Sequence, residues 1–331
     1  MRTFRNITGN QTIIKLLKNA IFYNKVSHAY IISGDEGCGK TLIGETFAKT
    51  LLCEEGKTDA CCNCISCKSF ENGNNPDIFY VKPKKGKTKS IGVNDIREQV
   101  IENVSIKPYK YKYKVFIIEN ADDMTKEAQN AFLKTLEEPP EYGVFILLAR
   151  NPEKFLPTVL SRCVNIKIRP LSNGEVINYI RTYTEIPDEK IELFAEYSRG
   201  SIGRALMMSQ SSEFIEMREN IINTITNLYG KNDFYACDSV KYIEEYKNEK
   251  GLLDIMYMWY RDMLSAKVLK DDKYIIQKDK KDIIFKEANK YSAECIIDKA
   301  EACLEAKNQL LKNVNFRLCM EVLLMKLKES Y

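Results

Sequence analysis

Apolar residues at Ile13, Leu16, Leu17, Ala20 and Ile21 recur at the three-to-four spacing of a helix with one buried face, predicting a helix over 10–24. The next apolar segment differs in kind. Ala29 to Ser33 is continuously apolar until its last residue, as a strand buried on both faces would be, and it runs into a glycine-rich turn. A helical pattern then covers 39–52. Four more short apolar runs, at 77–81, 115–118, 144–149 and 164–168, read as further buried parallel strands. Helical patterns at 93–104 and 125–138 lie between them. Strands alternating with helices predict an α/β layered domain.

Past Pro170 the strand-like runs vanish and helical periods continue to Tyr331. The last helix is predicted over 314–327, with Leu318, Val322, Leu323 and Met325 as its apolar positions. A length of 331 residues accommodates two or three domains. The expected division is 1–170 for the α/β domain, 171–212 for a small helical domain and 213–331 for a second helical one. Fifty basic against 46 acidic residues leave a net charge of +4, which excludes nucleic-acid binding by overall charge alone. Two lysine-rich runs, 82–89 and 278–281, read as solvated stretches, with phosphate contact as the alternative for the first. No run approaches the roughly 18 apolar residues of a membrane span, and the first residues lack the pattern of a signal peptide. A soluble cytoplasmic protein is expected.

Gly34-Asp35-Glu36-Gly37-Cys38-Gly39-Lys40-Thr41 satisfies the phosphate-binding pattern G-x-x-x-x-G-K-[ST], between a predicted strand and a predicted helix. Gly34, Gly37 and Gly39 let the backbone curl until successive N–H groups face phosphate oxygens, and the following helix adds its positive end. Lys40 would meet the terminal phosphates of ATP or ADP, and the Thr41 hydroxyl would ligate Mg²⁺. Cys38, inside the loop, and His28, the only histidine, read as passive structural residues.

A P-loop enzyme also needs an acid at a neighbouring strand end for the metal and a carboxylate to activate water. The strand over 115–118 ends in Glu119-Asn120-Ala121-Asp122. Glu119 can serve the metal, but Asn120 has no basic site for a proton, and Asp122 lies too far along. General-base catalysis supplies about 10²- to 10⁴-fold, so hydrolysis is expected to be weak.

Five of the eleven cysteines fall between Cys53 and Cys67. Cys53, Cys61, Cys64 and Cys67 have the C-x2-C-x2-C arrangement plus one preceding thiol that closes a structural zinc site, leaving Cys62 spare.

In this order, P-loop and cysteine knuckle resemble the AAA+ clamp-loader family of bacterial replicases. Its branches are delta-prime and the motor subunit gamma/tau. Further segments resemble the family: Ser27-His28-Ala29-Tyr30, the stretch from Ala128 through Glu137-Glu138-Pro139-Pro140, Ser161-Arg162-Cys163, the loop Gly200 to Leu206, and Asn313-Val314-Asn315. The motor carries Asp-Glu where this chain has Glu119-Asn120. It also has a small polar residue at the position of Arg150, and a sensor arginine at Gly203, from which Arg204 is shifted by one.

These departures favour delta-prime, with an active gamma/tau-type ATPase as the alternative. A P-loop kinase would need an arginine-rich lid, which the sequence lacks. The resemblance implies a stator that binds nucleotide without efficient hydrolysis, with Arg204 near the nucleotide and Arg162 acting as an arginine finger on a neighbour's ATP. It implies a lid at 171–212 and an oligomerising collar at 213–331. Gamma/tau and delta are the implied partners, together with the sliding clamp and primed DNA.

Overall fold

The five strand-like runs form one parallel sheet: β1 (Ala29–Ser33), β2 (Ile78–Val81), β3 (Lys114–Ile118), β4 (Gly143–Ala149) and β5 (Val164–Lys167). The computed structural model describes residues 2–83, 90–230, 232–247 and 251–329. The strand order is β2-β3-β4-β1-β5. Strands β1, β3 and β4 are buried at every position, which explains why their sequences do not alternate.

The first unit, 1–175, wraps this sheet with helices on both faces. On one face, α1 (Gln11–Phe22) and α2 (Lys40–Leu51) bring Ile14, Leu17, Ile43 and Phe47 against Tyr30, Ile32 and Ile146. A short helix, α3 (Ile65–Glu71), follows the cysteine segment. The 93–104 helix comprises α4 (Val93–Ile96), a wider π segment over Arg97–Ile101, and α5 (Glu102–Val104). On the opposite face, α6 (Lys126–Glu137) sets Phe132 edge-on to Phe145 at 5.1 Å, beside stacked Phe116 and Phe79. The four-residue α7 (Pro157–Leu160) leads into β5.

Asp77 was expected inside a strand. The strand instead begins one residue later, and the buried Asp77 carboxylate accepts N–H bonds from Tyr109, Lys110 and Tyr111 at 2.6, 2.9 and 3.1 Å. It thereby fixes the loop before β3. Asp77→Ala leaves those three donors without their acceptor, and hydrogen bonds to a charged group are worth about 1.5–3 kcal/mol each in net terms. With partial rescue by water, the expected loss is about 3 kcal/mol of unfolding free energy, read from urea denaturation.

The second unit, 176–331, is helical. Its helices are α8 (Asn173–Tyr183, entering from the first unit), α9 (Asp188–Ser198), α10 (Ile202–Gln210), α11 (Ser212–Thr226) and α12 (Asp233–Glu244), then α13 (Leu252–Leu269), α14 (Lys281–Ala288), α15 (Ala293–Leu311) and α16 (Phe316–Lys328). Trp259, the only tryptophan, is buried at the centre of α13. The 278–281 run is not a bare solvated stretch. Lys278 pairs with Glu192 at 2.7 Å, Lys280 with Glu219 at 2.7 Å, and Asp279 takes the buried Arg218 through two bonds of 2.7 and 2.9 Å. Lys299, also buried, donates to the carbonyls of Leu327 and Glu329 and so closes the open end of α16.

The last helix carries apolar residues on two sides. Cys319, Met320, Leu323, Leu324 and Leu327 point inward, while Leu318, Val322 and Met325 stand exposed at successive turns. Of the four expected apolar positions, only Leu323 serves the core, because this helix is apolar on two sides. Among the described residues, no helix is long and apolar enough to cross a membrane.

Candidate functional site

The P-loop leaves the end of β1, and its position follows from strand register. Ser33 lies opposite Ala149 on one side and Lys167 on the other. Gly37 and Gly39 have φ of 77° and 94°, values that side-chain-bearing residues avoid, so the turn requires glycine there. Gly39 caps α2, whose first N–H groups lack helical partners and face the loop. A Cβ on Gly34 would come within 2.8 Å of the Cys38 sulfur and 3.1 Å of the Ile168 carbonyl. Lys40 Nζ donates to the carbonyls of Gly34 and Asp35 at 2.7 and 2.6 Å, and Thr41 is exposed at the start of the helix. Burial pushes the Cys38 thiol up against the opposing influence of Lys40, which suits an inert loop residue.

Glu119 follows β3, which is separated from β1 by β4, so the two strand ends are about 10 Å apart at two interstrand spacings. Its carboxylate meets Lys82 Nζ at 3.6 Å. Residues 84–89 of the basic run lie outside the described residues. Asn120 adopts φ 48° and ψ 46°, a left-handed conformation that asparagine tolerates better than most residues. Asp122 is buried and accepts the N–H groups of Arg150 and Asn151 at 3.1 and 3.2 Å. It therefore braces the loop after β4. The Arg150 side chain meets Glu36 of the P-loop at 3.6 Å.

Arg204 belongs to the second unit, where it lies 3.7 Å from the Asp254 carboxylate that Arg199 and Lys307 also engage. Burial holds the His28 pKa below the ordinary histidine value, with the Arg162 main chain opposing the shift. The Arg162 guanidinium bonds Glu137 Oε1 at 2.9 Å and the Thr158 carbonyl at 2.9 Å, with its side chain 34% exposed. Burial raises the neighbouring Cys163 thiol to about 12.

The four assigned cysteines converge. The sulfurs of Cys53, Cys61, Cys64 and Cys67 all lie within 4.8 Å of one another, with Cys53–Cys64 at 3.9 Å and Cys61–Cys67 at 4.0 Å. Tetrahedral Zn–S bonds of about 2.3 Å place sulfurs about 3.8 Å apart, so the set fits that ion. Backbone N–H groups of Cys61, Cys64 and Cys67 donate to sulfurs within the set at 3.3, 3.3 and 3.4 Å. Cys62, with φ 63°, turns away and lies 3.3 Å from Lys49 Nζ, which also pairs with Glu71 at 2.8 Å.

Sequence reasoning missed the bracing by Asp77 and Asp122, the Glu36–Arg150 contact and the Glu137–Arg162 pair. Only Glu137 leaves a local trace: a carboxylate on the last residue of a helix opposes the helix dipole.

Residues 9–172 match the family model described as DNA polymerase III, delta subunit, and residues 212–329 match its C-terminal counterpart. The DNA polymerase III subunit delta' of Bacillus subtilis is 30% identical over 322 residues, covering 96% of each chain. Subunit tau of the same organism is 29% identical over 99% of this chain and 62% of its own length. Among solved structures, a gamma subunit-related protein of Thermotoga maritima aligns with 96% of this chain and 99% of its own at 17% identity, with a TM-score of 0.44. The chain belongs to the bacterial DNA polymerase III delta-prime family.

Proposed function

We propose that this chain is the delta-prime, or stator, subunit of a DNA polymerase III clamp loader in the cytoplasm. There it would work with gamma/tau and delta subunits to place a sliding clamp on primed DNA. The observation that carries this reading is the match to subunit delta' along 96% of both chains, joined to a strand end that reads Glu119-Asn120. In this reading residues 171–212 act as a lid and 213–331 as the collar. The exposed Leu318, Val322 and Met325 of α16 support a role for that helix in assembly.

Gly34, Gly37, Gly39, Lys40 and Thr41 would hold ATP or ADP with Mg²⁺, and Lys40 must exchange its loop carbonyls for phosphate oxygens. Glu119, at the end of β3, would be the acid for the metal, and Arg204, which faces Asp254 at 3.7 Å, would serve the nucleotide. Neither Asn120 nor Asp122 is suited to activate water, since Asn120 takes no proton and Asp122 is occupied by two backbone donors. Cys53, Cys61, Cys64 and Cys67 would hold a structural zinc ion, which supplies cross-linking and no open coordination position.

Co-expression with gamma/tau, delta and the clamp, followed by gel filtration, tests the assembly. The chain is expected to enter a complex with the motor subunits, and failure to associate overturns the reading. A second test concerns turnover. The isolated chain is expected to bind ATP or ADP and release almost no phosphate, since the missing base alone removes about 10²- to 10⁴-fold. Robust phosphate release by the chain alone would instead establish a motor-type ATPase.

A further inference from the structure

Arg162 follows α7 and carries five guanidinium hydrogens. One Nη2 hydrogen goes to Glu137 at 2.9 Å, while Nη1 reaches the Thr158 carbonyl at 2.9 Å and the Ser161 hydroxyl at 3.4 Å. Among the described residues, Nε–H and the second Nη2–H remain for an outside acceptor. The main chain is tied as well, through the Arg162 N–H on the Val159 carbonyl at 3.1 Å. We propose that Glu137 is a positioning residue for Arg162, gripping one side of the guanidinium so that its remaining donors face an anion outside this chain. The inference rests on reading Arg162 as the arginine offered to a neighbour's nucleotide.

Stability does not explain the pair. With the two side chains 34% and 49% exposed, such an ion pair contributes about 0–1 kcal/mol. Glu137 is also the last residue of α6, where the negative end of the dipole disfavours a carboxylate by about 0.3–1 kcal/mol. A residue that gains the fold little and opposes its own helix points to a functional constraint. Arginine supplies that constraint. Its long side chain has about 2 kcal/mol of rotamer entropy to lose, and a partner that fixes it in advance removes part of that cost from the encounter with phosphate.

The experiment compares wild type, Glu137→Gln, Arg162→Ala and the double variant in the reconstituted complex with clamp and primed DNA. Steady-state ATP turnover gives kcat and KM, and thermal melting of each isolated subunit controls for folding. Glu137→Gln is expected to remove at least half of the turnover that Arg162→Ala removes, with KM for ATP within about twofold of wild type. The double variant should match Arg162→Ala alone, because both substitutions act on one group. Glu137→Asp, which keeps the charge at shorter reach, should restore part of the loss.

Wild-type turnover by Glu137→Gln beside an impaired Arg162→Ala overturns the positioning role and leaves the arginine's own role standing. Additive losses in the double variant overturn it too. Wild-type turnover by Arg162→Ala overturns the underlying reading, and this inference with it.

Discussion

Cys64→Ser is expected to abolish zinc retention and loosen the segment from Cys53 to Glu71, whereas Cys62→Ser should leave both metal binding and structure in place. The contrast follows from where the sulfurs point. Cys64 lies 3.9 Å from Cys53, accepts the Cys67 N–H and caps α3, so its loss removes a ligand and a helix start together. Cys62 faces Lys49 instead. Structural zinc in isolated fingers is worth about 10–16 kcal/mol of apparent binding energy at neutral pH. Here the sheet and its helices have a core of their own, so release should unfold the cysteine segment locally rather than the whole chain.

That segment reaches one further anchor. The Asp59 carboxylate accepts the N–H groups of Phe4 and Arg5 at 2.8 and 3.2 Å, so the N-terminal residues should loosen with it. Metal analysis of carefully purified protein should give about one zinc per chain, the complement of a closed four-cysteine site. Limited proteolysis should then cut the Cys64→Ser variant between 53 and 71. Absence of zinc from wild type, or equal loss from both variants, overturns the assignment. Ligand thiols must be deprotonated, so retention of the ion should also weaken as pH falls.

The sheet was legible because strands covered on both faces, as β1, β3 and β4 are, need continuous apolar runs, and each of the five runs became a strand within about one residue of its expected bounds. The phosphate loop was legible for a related reason: glycine at φ 77° and 94° is a backbone requirement that sequence displays directly. Buried polar anchors were not legible. Asp77 and Asp122 look like any surface acid until the fold brings backbone donors from 28 to 34 residues away in the chain onto them.

Asn120 carries a different lesson. Read alone, it is a missing base. Its left-handed backbone shows that asparagine also suits the turn, so Asn120→Glu would add strain at the position where it restores a carboxylate. In helix α16 the apolar residues occupy two sides, and periodicity cannot say which side meets the core.

Arg162→Ala is expected to leave the isolated chain folded, with nucleotide binding nearly unchanged. Its pair with Glu137 is partly exposed and contributes about 0–1 kcal/mol, so melting should shift by no more than a few degrees. The effect belongs to the complex. A guanidinium is permanently charged and presents a planar fork of donors matched to phosphate oxygens. Supplied in trans, such a group stabilises charge on the transferring phosphoryl and is worth about 10³- to 10⁵-fold at the site it serves. Motor sites served by other subunits keep their own arginines, so DNA- and clamp-stimulated hydrolysis should fall only in part. Clamp loading, which needs the sites to act together, should fall further. Arg162→Lys should rescue poorly, because an ammonium keeps the charge and loses the fork. A variant that assembles normally and loads clamps at the wild-type rate would confine Arg162 to its contacts with Glu137 and Thr158.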